Sequence, residues 1–251
     1  MTLLISIGNT NITCGIQAVN TNTIASFKLR NSEFTAENLA EQINQLLVRN
    51  KIKKLTACTL ASVVPEMIDT ISSAVQQFFS ITPIIVSSSS DLGLNLSLYN
   101  CECVGVDRLL CCTAAYASCS SASIVFDLGT ATTANVVNGK GFFLGGLIIP
   151  GIELQSQMLA KAAAMLPGIN ISEDAVLIGN NTAQCINSGI LYSTAFFINQ
   201  YILEVNRVLG QEATVYMTGG NSDYIKPYIN SNIISRPNLL LEGLAIYSSK
   251  L

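Results

Sequence analysis

The 251-residue sequence has no histidine and no tryptophan. Without imidazole there can be no Ser-His-Asp or Cys-His nucleophile pair and no His-ligated zinc, so proton transfer falls to carboxylates, lysine, tyrosine or cysteine. Charge is scarce as well. Asp, Glu, Lys and Arg make up 12% of the chain, where an ordinary soluble domain carries about 25%. The net charge is −3 and only 13 residues are Lys or Arg, too few to neutralise a run of phosphates, which excludes nucleic acid and anionic membrane as expected partners. The one basic cluster, Arg49, Lys51, Lys53 and Lys54, lies between a helix pattern and a strand pattern and reads as a solvated turn. Long hydrophobic runs are missing too: the best, Phe142 to Ile152, is short and broken by three glycines and Pro150. The opening MTLLISIGNT has no basic region and enters a strand pattern at once. It is expected to be part of the fold rather than a secretion signal, and the protein to be cytoplasmic.

What is present is apolar. Hydrophobic residues reach 49% with a mean hydropathy of +0.45, enough for a sizeable core, and the length suits one large domain or two smaller ones. The eight cysteines include no C-x-x-C pair and are expected to be mostly buried reduced thiols. Cys101 with Cys103, or Cys111 with Cys112, could hold a soft metal, a weaker reading than packing.

Periodicity predicts strands over Leu3–Ile7, Ile12–Gln17 and Thr23–Leu29, a helix capped by Thr35, a strand over Leu55–Val64, a helix from Pro65 to Phe79 and a strand over Pro83–Ser87. After a helix around Asp107–Ala117 the opening theme returns: Ser123–Asp127, a Gly-Thr-Ala-Thr turn, Ala134–Val137 and Gly141–Ile149. Helices over Ile152–Met165 and Thr182–Leu209, a strand over Thr214–Met217 and a helix over Leu239–Lys250 follow. Aligning LLISIGNTNITCGI with IVFDLGTATTANVV places Ile5 on Phe126, Ser6 on Asp127 and Gly8 on Gly129, each 121 residues apart. The sequence therefore reads as an internal duplication, with an N-terminal lobe over 1–100 and a C-terminal lobe over 101–251. A glycine turn after the first strand of each lobe lets backbone N–H groups approach an anion, and neighbouring Asn and Thr add neutral donors. Such paired turns suit a polyphosphate, although a single one would be an ordinary hairpin turn. Neither a Walker loop nor a G-x-G-x-x-G occurs.

The segments ISIGNTN (5–11), GVDR (105–108), FDLGTATT (126–133), GGLIIPG (145–151), TGG (218–220) and LEGL (241–244), in this order, resemble type III pantothenate kinase over nearly the whole chain. The resemblance implies an α/β fold of two duplicated lobes, that of the acetate and sugar kinase, Hsp70 and actin superfamily (ribonuclease H-like), with ATP in a central cleft. It implies a homodimer and ATP-dependent phosphorylation of pantothenate at its primary hydroxyl, the first step towards coenzyme A. Magnesium and a monovalent cation, potassium or ammonium, are the implied cofactors.

By the same resemblance Asp107, one of six Asp residues, is the general base. Gly105, Val106, Arg108, Tyr99 and Thr182 fall at substrate-contacting positions, with Arg108 able to fork onto the pantothenate carboxylate. Ser6, Ile7, Gly8, Asn9, Thr10, Asn11, Ile12 and Thr13 form the first phosphate segment. Thr130 contacts ATP, Gly219 and Gly220 lie near adenosine, and Asp127 binds the monovalent cation. Read without the resemblance, Asp107 is an ordinary helix N-terminal carboxylate, and Tyr99 and Thr182 are structural residues.

The chain departs from the pattern at one position: the family's D-x-G-N-T motif places a magnesium-holding Asp where this chain has Ser6. A hydroxyl is a neutral, weak ligand, whereas magnesium uses one or two carboxylates with phosphates and water. Losing that charge could remove several kcal/mol of transition-state stabilisation. A slow kinase, a kinase whose metal rests on Asp127 and water, and a binding protein without turnover all remain open. A different small-molecule kinase on the same fold is also open, because phosphate loops recognise the nucleotide and not the acceptor.

Overall fold

A computed structural model describes residues 1–17, 24–100 and 104–251. Cys101 and Cys103 lie outside the described residues, as does Thr23. The chain forms two compact units, one of residues 1–118 with 238–251, the other of residues 119–237.

In the first unit the strands β1 (Thr2–Ile7), β2 (Asn11–Gln17), β3 (Ile24–Arg30), β4 (Ala57–Ser62) and β5 (Ile84–Val86) make one mixed sheet of order β3-β2-β1-β4-β5. The β1–β2–β3 meander is antiparallel, and β4 and β5 continue it in parallel. Parallel pairing needs crossovers. Helices α1 (Ala36–Arg49) and α2 (Ile68–Phe79) supply them. The Thr35 hydroxyl caps α1 by accepting from the Asn38 N–H at 3.1 Å, and Pro65 starts a short 3-10 turn that leads into α2. Leu3, Ile5 and Ile7 alternate onto one face of β1 and pack with Leu39, Ile43, Ile71 and Val75 of these helices. Each such fully buried aliphatic side chain stabilises by about 1.5–3 kcal/mol.

Helix α3 (Val106–Cys119) packs within this unit, its Thr113 hydroxyl bonded to the Leu92 carbonyl at 3.0 Å. The last helix, α7 (Leu239–Ser248), returns to pack against β1, β2 and β4. The contact between α7 and α3 is close enough to require a glycine: a Cβ at Gly243 would stand 2.7 Å from the Leu110 carbonyl carbon and closer still to its oxygen. The LEGL segment thus seats the C-terminal helix on the helix that begins with GVDR.

The second unit repeats the topology. Strands β6 (Ser123–Leu128), β7 (Ala131–Val137), β8 (Phe143–Pro150), β9 (Thr214–Thr218) and β10 (Ile234–Ser235) form a sheet of order β10-β9-β6-β7-β8, again an antiparallel meander extended by two parallel strands. Helices α4 (Ile152–Ala162), α5 (Thr182–Leu209) and the short α6 (Ser222–Ile225) complete it. The α5 boundaries are the expected ones: Asn181 caps its start by accepting from Gln184 N–H at 3.0 Å, and Gly210 ends it at φ +65°. Helix α4 stops at Ala162, before the expected Met165, where a turn closed by Leu166 N–H to the Ala163 carbonyl precedes Pro167. Strand β10 and helix α6 carry too few apolar residues to register in the periodicity.

The duplication is not uniform. β1 and β6 correspond at the expected spacing of 121, Thr2 matching Ser123. Between the pairs Ile7–Ile12 and Leu128–Thr132, however, the first turn holds four residues and the second three. Asn11 therefore matches Ala131, 120 residues on, and Thr132 belongs to β7 rather than to the turn. The ungapped alignment is corrected by one residue after the glycine.

Six described cysteines are in no disulfide: Cys14, Cys58, Cys111 and Cys112 are buried, Cys119 is half-buried and Cys185 exposed. Burial pushes the Cys58 and Cys112 thiols up to about 12, so they stay protonated, which disfavours Cys111–Cys112 as a metal site. No helix among the described residues is long and apolar enough to cross a membrane.

Replacing Gly243 with Ala should force α7 off α3 and destabilise the fold by about 3 kcal/mol, since a backbone carbonyl cannot rotate away as a side chain can. Thermal unfolding should show a Tm lowered by about 6 °C or more. A Tm within about 1 °C of the parent would show that the α3–α7 contact is loose.

Candidate active site

The first glycine turn is built on a buried strand end. Ile7 and Ile12 point into the core and contribute backbone alone, while Ser6, 6% exposed, pairs with Thr13 on β2 and Ala61 on β4. The turn closes through Gly8 N–H to the Asn11 carbonyl at 2.9 Å, leaving Asn9 and Thr10 exposed. One residue without any sequence signal organises it. Asn31, just after β3, donates its side-chain amide to the carbonyls of Gly8 (2.8 Å) and Asn9 (3.1 Å), and its backbone N–H to that of Thr10 (2.9 Å). Its Oδ1 is buried with no partner, at a cost of about 1–3 kcal/mol.

Asp107 is joined to this turn by a short chain of contacts. The Val63 N–H bonds the Ile7 carbonyl at 3.0 Å, and Val63 in turn lies against Gly105. Gly105 is not among the glycines with positive φ. It is needed because a Cβ there would overlap the Asp107 carboxylate, whose Oδ1 folds back over it. Asp107 is the second residue of α3, where a helix start offers unsatisfied N–H groups and a favourable dipole. Its Oδ1 accepts the Arg108 N–H at 2.8 Å. Partial burial raises its pKa above the ordinary carboxylate value, and the backbone N–H of Arg108, the Arg108 charge and its own N–H pull it part of the way back. Val106 is buried, and Arg108 and Tyr99 are half-buried in the same unit.

In the second unit Asp127 occupies on β6 the place Ser6 holds on β1, paired with Thr133 and Thr218. It is half-buried, and its Oδ1 lies 3.7 Å from the Cβ position of Gly129. The Gly129–Thr130 turn is gripped from two sides. Gly151 donates its N–H to the Thr130 carbonyl at 3.0 Å, with no room for a Cβ against that turn. Gly219 has φ +95° and a Cβ there would stand 2.5 Å from the Leu128 backbone, so TGG is a required close approach rather than an interchangeable turn. Asn221 donates its N–H to the Leu128 carbonyl at 3.0 Å and its amide to the Gly129 carbonyl at 3.4 Å. Gly220 and Thr130 are exposed beside these contacts. Thr182 is the exposed first residue of α5, following the Asn181 cap. Neither Asn221 nor Gly151 was marked by sequence alone, although Gly151 ends the GGLIIPG segment.

Among the described residues no group of three or more His, Cys, Asp or Glu could form a protein-only metal site. Within the second unit, the half-buried Asp127 carboxylate beside the Gly129 turn is the kind of donor a magnesium ion travelling with phosphates uses, since such ions take one or two carboxylates and complete their shell with phosphate and water.

The type III pantothenate kinase family profile matches residues 2–204. The chain is 32% identical over 248 residues to a type III pantothenate kinase of Moorella thermoacetica, covering 98% of each, and 30% identical over 254 residues to one of Agathobacter rectalis, covering 100% of this chain and 97% of that one. Among solved structures, a ROK family glucokinase from Streptomyces griseus in complex with glucose and AMPPNP superposes with TM-score 0.51 at 13% identity, covering 100% and 99% of the two chains. The last likeness shows the fold, two mixed α/β sheets of the sugar-kinase type, and the profile match with the relatives shows that the chain belongs to the type III pantothenate kinase family.

Proposed function

We propose that the protein phosphorylates pantothenate from ATP, as a cytoplasmic homodimer, and that Asp107 is the general base. The observation that carries this reading is the half-buried Asp107 carboxylate, held through Gly105, Val63 and Ile7 beside the Gly8–Asn11 turn. The peptide N–H groups of that turn and of the Gly129–Thr130 turn cradle the nucleotide phosphates, with Gly219 and Gly220 towards adenosine. Arg108 takes the pantothenate carboxylate, and Tyr99 and Thr182 line the acceptor. Asp107 accepts the proton of the primary hydroxyl as its oxygen attacks the γ-phosphorus in line and ADP leaves. Raising the pKa of a carboxylate makes it a stronger base. Magnesium, when bound, neutralises charge on the transferring phosphoryl, and Asp127 is the carboxylate that would hold it or a potassium or ammonium ion. Leu144, Leu147 and Ile148 of the edge strand β8 are exposed and supply an apolar surface compatible with self-association.

Ser6 favours a second reading, a homologue of impaired turnover that binds rather than transfers. A coupled assay of pantothenate-dependent ADP release, run in potassium and in sodium, separates the two. The kinase reading predicts potassium-stimulated turnover that falls by about 100-fold or more in Asp107→Asn, with little change in ATP KM. Near-parental turnover in the variant would remove Asp107 from the role.

The same variant reports on stability. Well below the ordinary aspartate value of about 3.9, both folded and unfolded Asp107 are protonated. As pH rises through the raised folded value, the stability associated with the folded-state proton is lost. Asp107→Asn escapes that loss, so it should melt at or above the parent at neutral pH, with the gap closing on acidification to about pH 4. A variant that melts lower at neutral pH than at acid pH, relative to the parent, would contradict the buried-carboxylate account.

Gly105→Ala should fold normally, because its backbone suits alanine, yet displace the Asp107 carboxylate and lower kcat by about 10–100-fold. Unchanged kcat would show that the observed carboxylate rotamer is not the reactive one. Ser6→Asp should raise kcat or lower the magnesium concentration needed for half-maximal rate. No change in either would show that this position does not limit catalysis.

A further inference from the structure

We infer that Asn31 is a positioning residue for nucleotide phosphate: its side-chain amide ties back the carbonyls of the Gly8–Asn11 turn so that the turn's peptide N–H groups face the ligand. The inference deepens the proposed kinase reading and rests on it for the identity of the ligand. Three consecutive carbonyls, those of Gly8, Asn9 and Thr10, are bonded to Asn31, two by its amide and one by its backbone N–H. In a trans peptide the carbonyl and the N–H of one unit point in opposite directions, and no described peptide here is cis. Holding the Gly8 and Asn9 carbonyls therefore turns the N–H groups of Asn9 and Thr10 away from Asn31. A turn of that kind is otherwise free to flip its peptide planes and present oxygen to an anion, which would repel it.

The orientation of the Asn31 amide is fixed by its surroundings, since a flipped amide would set Oδ1 against carbonyl oxygens. The buried, unpartnered Oδ1 fits the same picture, because the side chain keeps its donor on the turn even though its acceptor gains nothing. An independent counterpart exists in the second unit. Gly129, equivalent to Gly8, also has its carbonyl bound by an asparagine amide, that of Asn221, which comes from a different element and a distant part of the chain. Neither asparagine needs to touch the ligand to act.

The test is calorimetric binding of a non-hydrolysable ATP analogue with magnesium to the parent, Asn31→Asp and Asn31→Ser, alongside steady-state kinetics. The aspartate keeps the shape and replaces a donor by an acceptor, and the serine is too short to hold two carbonyls. Both should raise the Kd for the analogue about tenfold or more and lower kcat/KM for ATP in parallel, while KM for pantothenate stays at the parental value. As a readout that does not depend on variants folding, the parent's Asn9 and Thr10 backbone amide resonances should shift on adding the analogue while the Asn31 side-chain NH2 pair stays in place. Parental Kd values in both variants, or a shift confined to the Asn31 NH2 pair, would overturn the inference. A parent that binds no nucleotide at all would instead overturn the kinase reading.

Discussion

In its proposed role as general base, Asp107 must satisfy two opposed demands. A carboxylate removed from water becomes more basic and more costly to ionise, yet it has to be ionised to accept a proton. The structure meets both at the first turn of α3, where burial raises the pKa and the N–H groups of Asp107 and Arg108, with the Arg108 charge, restrain it. Much of the first unit follows from placing that turn correctly. Gly105 leaves room for the carboxylate, and Val63 links it to the end of β1. Gly243 lets α7 press the body of α3 home. None of these three glycine or valine roles is chemical, and all of them act through distance.

The duplicated topology supplies the second half of the design by repetition. Each sheet runs as an antiparallel meander extended by two parallel strands, and each carries a glycine turn at the end of its first strand. The copies have diverged in ways that matter. The second turn is one residue shorter and is braced by Gly151 and Gly219, whereas the first is longer and braced by Asn31. A carboxylate stands at Asp127 and a buried hydroxyl at Ser6.

The strands around Ser6 and Asp127 and the full span of α5 were legible because alternation, caps and a terminal glycine all agree there. The Gly-Asn-Thr and Gly-Thr turns and GVDR were legible as ordered motifs. The shortened second turn was not, since an ungapped match looks adequate when Thr and Ala recur on both sides of it. The roles of Asn31 and Asn221 were invisible for a different reason: asparagine is ordinary in turns, and their partners lie 22–92 residues away in sequence. The seating of α7 on the first unit likewise depends on a backbone contact, Gly243 against Leu110, that no local pattern encodes. Sequence gave chemistry and order, and packing gave the contacts that orient them.

The pH dependence of kcat/KM for pantothenate tests the central claim most directly, because it reads the protonation of the base in the free enzyme. The account predicts an acid limb whose midpoint lies above the ordinary aspartate value of about 3.9, and which disappears from the residual activity of Asp107→Asn. A limb that persists unchanged in that variant, or a profile still flat at about pH 4, would contradict it.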